Sequence, residues 1–330
     1  MIIRNKQDLR KCVKQCVRRA PVIETHAAQA MIAGEYGVAA NLQSWTCAIE
    51  SLQESFELAC VGSPVAKKTV ALLAALDALQ LPVHDLDKAE CIIKGYDQNT
   101  YLSAILDAMC ARRLIMYADA SALENLEVSD ERLVPGIMIE PQLFAPGRYG
   151  VDYAAAAEQI AHWIHELNVR DIAMAGFSLD FFKYCLIPVC EDHDVVLHAH
   201  IDSQEQLKAL FDVIREHQDI RMIVGAQEDL ERMLIDMAAQ QPNILIQLRC
   251  TENIPYALRV LGTRFLPYTS NALLPEEMLG GWVLAKEALW QALYDAYLPL
   301  ARVGYELTRE RIEADVEMLL CGNFERIHEI

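Results

Sequence analysis

The residues best suited to chemistry are histidines that end two short apolar segments of the chain. His26 ends the segment PVIETH, and His198 and His200 close the segment DVVLHAH. Because alternate residues of a strand point the same way, His198 and His200 share one face and could chelate one ion together. Histidine is also a frequent general acid or base at neutral pH. A metal site, an acid–base site and a purely structural role are therefore all open.

Polar residues also end or follow most of the other apolar segments. We expect Glu140, Gln227 and Arg249 to contact a substrate or ligand at this edge. A guanidinium group pairs bidentately with a carboxylate, so Arg249 points to an anionic ligand. An ion pair between Arg249 and one of the nearby acids is the alternative. The other candidates for the same pocket are Glu24, Tyr117, Asp119, Ser178, Glu252 and Asn271.

Eight short apolar, β-branched segments would position these side chains. Their near-continuous apolarity is typical of strands that are buried on both faces, as in parallel sheets. Helical patterns lie between several of them, and this repeated alternation predicts a closed (β/α)8 TIM barrel with its site at the carboxyl ends of the strands. An open doubly wound sheet is the alternative, but no Gly-rich phosphate turn follows the first segment. The predicted strands are 21–26, 113–119, 133–141, 169–176, 194–200, 220–226, 243–249 and 264–271, and the clearest helical patterns are 154–168, 203–217 and 228–241.

The barrel is expected to fill the whole chain, residues 1–330, as a single domain with two additions. Residues 1–20 form a basic amphipathic helix with seven basic residues and one acid. Such a helix either packs on the domain or binds a membrane surface or targeting receptor. Residues 30–112 separate the first strand from the second and carry helical patterns at 46–60, 65–80 and 99–112. We expect this helical insertion to roof the pocket, because loops at that end of a barrel face the active site.

The composition excludes several classes of protein. The net charge of −18 disfavours binding to nucleic acid, because an acidic body repels phosphate. The sequence has no uncharged apolar run of 18 residues and no secretory signal, so we expect no membrane partner. Ten cysteines without an export signal indicate reduced thiols in the cytoplasm.

The order of these segments resembles the amidohydrolase superfamily, in particular its uronate isomerase branch. PVIETHAA is similar to the first strand of that branch, HDVVLHAHID to the fifth, DIRMIVGAQ to the sixth, PNILIQL to the seventh and FLPYTSNA to the eighth. The final segment, VEMLLCGNFERIHEI, resembles the usual closing helix. The resemblance covers most of residues 20–330 by order and spacing. It implies a barrel that is related to metal-dependent hydrolases.

The resemblance also implies that most metal ligands of the family are replaced. His26 falls on the first histidine of the family's His-x-His pair, and Ala28 falls on the second. His198 falls on the fifth-strand histidine, so His26 and His198 could form a remnant metal site. The sixth-strand histidine falls on Ala226 or Gln227, and no lysine stands in the fourth strand. Asn271 replaces the aspartate that binds the metal and acts as base, and an amide keeps that shape but loses the charge.

Three functions follow from these replacements. The first is binding of a small, carboxylate-bearing molecule or of a partner, without a cofactor and without ordinary metal-dependent hydrolysis. The second is an altered hydrolase, isomerase or lyase that uses His26, His198 or His200, with one divalent Zn or Mn ion or none, and with Asn271 beside them. The third is a non-catalytic scaffold subunit in a homo-oligomer.

Overall fold

The protein is an α/β structure built on one parallel sheet. The computed structural model describes residues 3, 5–27, 67–96, 98–124, 130–144, 152–270, 272 and 275–329. Within these residues, seven parallel strands pair in the order of the sequence, each with the next. They are β1 (Val22–Ala27), β2 (Ala111–Ala118), β3 (Leu133–Ile139), β4 (Asp171–Met174), β5 (Val196–Ile201), β6 (Met222–Ala226) and β7 (Ile244–Ile246).

The eighth predicted strand runs beside β7 but pairs with it only briefly. Gln247 and Leu266 form a single parallel bridge, and the Leu266 amide donates to the Ile246 carbonyl at 2.8 Å. The segment then reaches the first strand through side chains, because the Thr269 hydroxyl donates to the Glu24 carboxylate at 2.8 Å. The last segment therefore touches both β7 and β1.

The helices follow the strands and bury their apolar faces against the sheet. Their start signals are visible in the sequence: the Ser203 hydroxyl, for example, accepts from the Gln206 amide at 3.2 Å and caps the helix after β5. The helices after strands β2 to β7 are Ala120–Glu124, Tyr153–Leu167, Leu179–Phe181 with Ile187–Asp192, Gln204–Ile214, Glu231–Ala238 and Ile254–Leu261. π-helical turns span Phe182–Leu186 and Met318–Gly322, and short 3-10 turns span Pro141–Phe144 and Thr251–Asn253.

The basic start of the chain forms the helix Lys6–Arg19, which packs on the domain. Leu9, Val13 and Val17 are buried on one face. On the other face, Arg18 forms an ion pair with Glu287. Lys14 of this helix lies 3.7 Å from the same carboxylate, so two of its basic side chains face one acid of the domain.

A long helix, Pro275–Arg302, packs against the described part of the predicted insertion. That part forms the helices Lys67–Ala78, Leu86–Ile93 and Gln98–Met109. The first and the third match the patterns at 65–80 and 99–112, and Leu86–Ile93 was not predicted. The Tyr101 hydroxyl donates to the buried Glu276 carboxylate of the long helix at 2.5 Å. The pattern at 46–60 lies outside the described residues, and roofing of the pocket stays a prediction.

The fold is completed by the helices Arg309–Glu317 and Asn323–His328. Asn323 donates from its side-chain amide to the Phe265 carbonyl at 3.0 Å, which ties the last helix to the eighth segment. No helix in the described part of the chain has the length and apolarity to cross a bilayer.

Candidate functional site

A cavity of about 180 Å³ lies at the carboxyl ends of the central strands. Strand ends of a parallel sheet gather here, so residues far apart in sequence meet in one place. Its described lining comprises Met138, Ala173, Met174, Ala175, Gly176, His198, Ala199, His200, Gln247, Arg249 and Thr269. The cavity therefore combines two histidines, an arginine, an amide and a hydroxyl with apolar walls.

His198 is a deeply buried polar side chain of this lining. Only 2% of it is exposed, and its Nε2 lies 2.9 Å from Oδ1 of Asp171, which begins strand β4. Burial works against the charge of Asp171, but hydrogen bonds from His198 and His328 outweigh it and lower the pKa of Asp171 to about 2. Burial lowers the pKa of His198 below its ordinary value, although the Asp171 carboxylate opposes this. His198 is therefore a neutral ring that donates from Nε2.

The other nitrogen of the His198 ring, Nδ1, is a buried acceptor. It has no hydrogen-bond partner among the described residues. The Tyr117 ring meets the His198 ring edge-on, with centroids 5.2 Å apart. Because native proteins pair most buried polar atoms, this nitrogen marks an unusual place in the wall of the cavity.

His200 and Arg249 lie higher in the same cavity. Nη1 of Arg249 is 3.4 Å from Nε2 of His200, and Oδ1 of Asp202 is 3.6 Å from the same nitrogen. Burial, followed by the charge of Arg249, lowers the pKa of His200. Since Arg249 only donates, this arrangement fits a neutral His200 that accepts at Nε2.

Arg249 is held in place through its backbone by a buried carboxylate. Oε1 of Glu231 accepts from the Arg249 amide at 2.6 Å and from the Cys250 amide at 3.0 Å. Oε2 of Glu231 accepts from the Asn253 side chain at 2.8 Å. No carboxylate of the described residues lies within 4.0 Å of the Arg249 guanidinium. The backbone of Arg249 is thus fixed by Glu231, while its charged group faces the cavity.

Three hydrogen bonds cross the interior beside the cavity and support its walls. The Thr25 hydroxyl donates to Oε1 of Gln247 at 2.7 Å. A side chain at Gly225 would crowd this site, because its Cβ would lie 3.2 Å from Nε2 of Gln247 and 3.4 Å from Nδ1 of His200. The buried Glu24 carboxylate accepts from the Trp282 indole at 2.8 Å as well as from Thr269.

The structure brings together three of the predicted site residues, His198, His200 and Arg249. Gln227 is exposed and donates to Asp202 at 2.8 Å, and Glu140 accepts from Gln142 at 3.4 Å. Neither Gln227 nor Glu140 lines the cavity, and their contact with a substrate stays a prediction. Strand β1 contains His26, but the side chain of His26, and Ala28 and Asn271 entirely, lie outside the described residues.

Sequence reasoning missed several residues that shape the site. Asp171 was visible as an acid within the apolar segment VRDIAMAG, yet it stands at the wrong end of that strand for a pocket residue. Gln247 and Thr269 lie inside predicted strands, and no site role was assigned to either of them. Glu231 resembled an ordinary acid near a helix start, and nothing in the sequence paired His328 with Asp171.

Of the metal centre that the resemblance implies, the described residues supply only the side chain of His198, since that of His26 and the whole of Asn271 lie outside them. Within the described ranges, no three His, Cys, Asp or Glu side chains converge as a metal site. Nε2 of His198 is occupied by Asp171, so Nδ1 is the ring nitrogen of His198 that could bind an ion. Catalytic zinc usually has three protein ligands, so the donor set in view falls short.

Comparison with known proteins defines the fold and leaves the activity open. No family model matches the sequence, and no curated protein matches it significantly. A uronate isomerase from Bacillus halodurans C-125 has a similar structure, with a TM-score of 0.81 and 17% identity over 99% of this chain and 97% of that chain. The resemblance inferred from the sequence is thereby confirmed for the fold, and the chain has the TIM-barrel-like fold of a uronate isomerase.

Proposed function

We propose that the protein binds a small carboxylate-bearing molecule in the cavity at the ends of strands β4 to β7. The observation that carries this proposal is the Arg249 guanidinium, which lines the cavity without an acidic partner among the described residues. A half-buried guanidinium is stabilised by a carboxylate that accepts two parallel hydrogen bonds. The structural neighbour is a uronate isomerase, and a uronate is a sugar that carries such a group.

Binding by this route needs no metal ion. Arg249 supplies the charge, and His200 and Gln247 offer polar contacts for the rest of the ligand. The protein should therefore contain well below one equivalent of Zn or Mn when it is purified without chelator. Near-stoichiometric metal would contradict this part of the proposal, and it would favour a site completed by His26 or Asn271.

Calorimetric titration with D-glucuronate and with D-glucose tests the proposal. The two sugars differ by a carboxylate against a hydroxymethyl group, so preference for glucuronate isolates the charged contact. Arg249→Met should weaken glucuronate binding about tenfold to a hundredfold, since a hydrogen bond to a charged group is worth about 1.5–3 kcal/mol. Arg259→Met removes an arginine that lies over Tyr256 and should leave binding unchanged. Equal binding of both sugars, or an unaffected Arg249→Met variant, would refute the proposal.

A second function, proton transfer on the bound carboxylate compound, is favoured by the pair of His198 and Asp171. A neutral histidine backed by a buried carboxylate is the arrangement in which a general base works. His198→Gln should then abolish turnover of a uronate, while circular dichroism should show that the protein keeps its fold.

We further propose that the eighth segment closes the sheet into a full (β/α)8 barrel. Homo-oligomerisation and a cytoplasmic location stay predictions.

A further inference from the structure

We infer that Asp171 and His328 are positioning residues that lock His198 in one tautomer, with its proton on Nε2 and its lone pair on Nδ1. Oδ1 of Asp171 lies 2.9 Å from Nε2 of His198 and 2.9 Å from Nε2 of His328. One buried carboxylate oxygen thus joins the site to the last helix of the chain. The role of the locked ring in ligand contact rests on the proposed function, but the lock itself does not.

The contacts of His328 fix its own protons. Nδ1 of His328 lies 2.8 Å from the Phe324 carbonyl, which can only accept, so Nδ1 donates. Nε2 of His328 faces the Asp171 carboxylate, so it donates as well. These two contacts assign a proton to each ring nitrogen. The ring stacks on Phe324 with centroids 4.2 Å apart, and 10% of the His328 side chain is exposed.

The ionised Asp171 carboxylate leaves His198 with a single way to bond. The Asp171 carboxylate can only accept, so Nε2 of His198 carries the proton. A neutral imidazole then has a bare Nδ1, and that atom has no partner in the described part of the chain. An unpaired buried acceptor costs about 1–3 kcal/mol, which is unusual for a histidine that serves the core alone.

The residues that fix the His198 tautomer lie at the end of the sheet opposite the cavity. Asp171 opens strand β4, and His328 stands on the final helix, 157 residues later in the chain. His198 pairs with Ala173 in the strand register, two residues above Asp171, and its ring lines the cavity. The solvent-accessible surface of Nδ1 of His198 is under 1 Å². Cavity side chains must therefore shift before a ligand hydroxyl or a water molecule can donate to this nitrogen.

Nitrogen-15 NMR of histidine-labelled, ligand-free protein at neutral pH tests the lock directly. The nine histidines give a countable set of ring signals, and the loss of one set in His198→Gln assigns His198. We expect His198 to show a protonated Nε2 and an unprotonated Nδ1, and His328 to show two protonated nitrogens. A proton on Nδ1 of His198, or the averaged shifts of two exchanging tautomers, would overturn the inference.

Two variants separate the roles of the partners. His328→Phe keeps the aromatic volume against Phe324 but removes one of the two side-chain donors that hold Asp171 ionised. A buried Asp171 that takes up a proton can donate to Nε2 of His198, so the His198 shifts should move towards the tautomer average. Asp171→Asn keeps the shape and should abolish the doubly protonated signal of His328. His217→Phe removes a surface histidine 2.8 Å from Glu191 and should leave His198 unchanged.

Unchanged His198 shifts in His328→Phe would overturn the positioning role of His328. If Asp171→Asn does not fold, the wild-type and His328→Phe spectra still decide the matter. Titration of the labelled protein with D-glucuronate adds a separate readout, in which a donor on Nδ1 shifts that nitrogen alone. Absence of glucuronate binding would sink the proposed function, whereas the ligand-free spectra would still report on the lock.

Discussion

The carboxylate of Glu231 should control both the stability of the loop after β7 and the affinity of the cavity. It accepts three hydrogen bonds, from the backbone amides of Arg249 and Cys250 and from the side chain of Asn253. The side chain is fully buried, and this burial raises the pKa of Glu231 above its ordinary value although the three bonds oppose the shift. Glu231→Ala removes all three acceptor contacts at once.

The magnitude follows from these contacts. Each bond to a charged acceptor contributes about 1.5–3 kcal/mol, but the two backbone amides belong to half-buried residues that water can reach. Removal of the carboxylate also removes its desolvation cost, so we expect a net loss of about 3 kcal/mol. For a chain of 330 residues this lowers the melting temperature by roughly 4 °C, since unfolding entropy is about 0.7 kcal/mol per kelvin at that size.

The matched variants make the prediction sharp. Glu231→Gln can keep the carbonyl oxygen on the two amides and loses the bond from Asn253, so it should cost about half as much as Glu231→Ala. Glu228→Ala removes an exposed acid three residues earlier and should stay within about 0.5 kcal/mol of the parent protein. Urea unfolding gives the free energies, and titration with D-glucuronate gives the affinity, which should fall in Glu231→Ala because Arg249 loses its anchor.

A loss under about 1 kcal/mol in Glu231→Ala would refute this reasoning, because the buried carboxylate would then contribute no more than its desolvation costs. Full stability loss with unchanged glucuronate affinity would separate the loop from the site.

Three further predictions concern the framework. Gly280→Ala should destabilise the protein by about 1–3 kcal/mol in urea unfolding, because a Cβ there overlaps the backbone carbonyl of Ala71, whereas Ala288→Gly on the same helix should cost only about 1 kcal/mol from helix propensity. Lys286→Met should cost about 2–4 kcal/mol by the same assay, because the buried ammonium donates to Ala20 and Met109, whose carbonyls end two helices, at 2.9 and 3.2 Å. Hydrogen bonds from Arg132 hold the pKa of Asp130 well below its usual range, so its contribution to stability is present above about pH 4 and is lost as the pH falls towards the folded-state value. The difference in unfolding free energy between the parent protein and Asp130→Asn should therefore narrow by about 1 kcal/mol from pH 7 to pH 3, and an unchanged difference would contradict the shift.

The strands could be predicted because their signal is local. The seven segments that form strands are near-continuous apolar runs, which are rare outside a sheet that is buried on both faces. In the described part of the eighth segment, residues 265–270, one bridge forms, and Pro267 explains part of this because it has no backbone donor. The long helix Pro275–Arg302 was not predicted.

The site could be predicted only where chemistry coincides with the end of a strand. His198, His200 and Arg249 satisfied that rule, and they meet at the cavity. Asp171 acts from the beginning of its strand, and His328 comes from the last helix, so neither position carries a local signal for the partner it contacts. Pairing across 157 residues is fixed by the barrel geometry, which spacing along the sequence does not encode.

The described polar contacts favour a binding site over a vestigial pocket. A scaffold subunit without a ligand would gain stability by filling the cavity with apolar side chains, because packed interiors leave few voids. Here a cavity of about 180 Å³ persists, and it is lined by an arginine whose backbone is anchored by the buried Glu231. Beneath it, the Asp171 carboxylate is buried with two histidines, and one ring nitrogen remains unpaired among the described residues. Buried charges and an open acceptor each cost free energy, so their concentration around one cavity is best explained by a ligand that uses them.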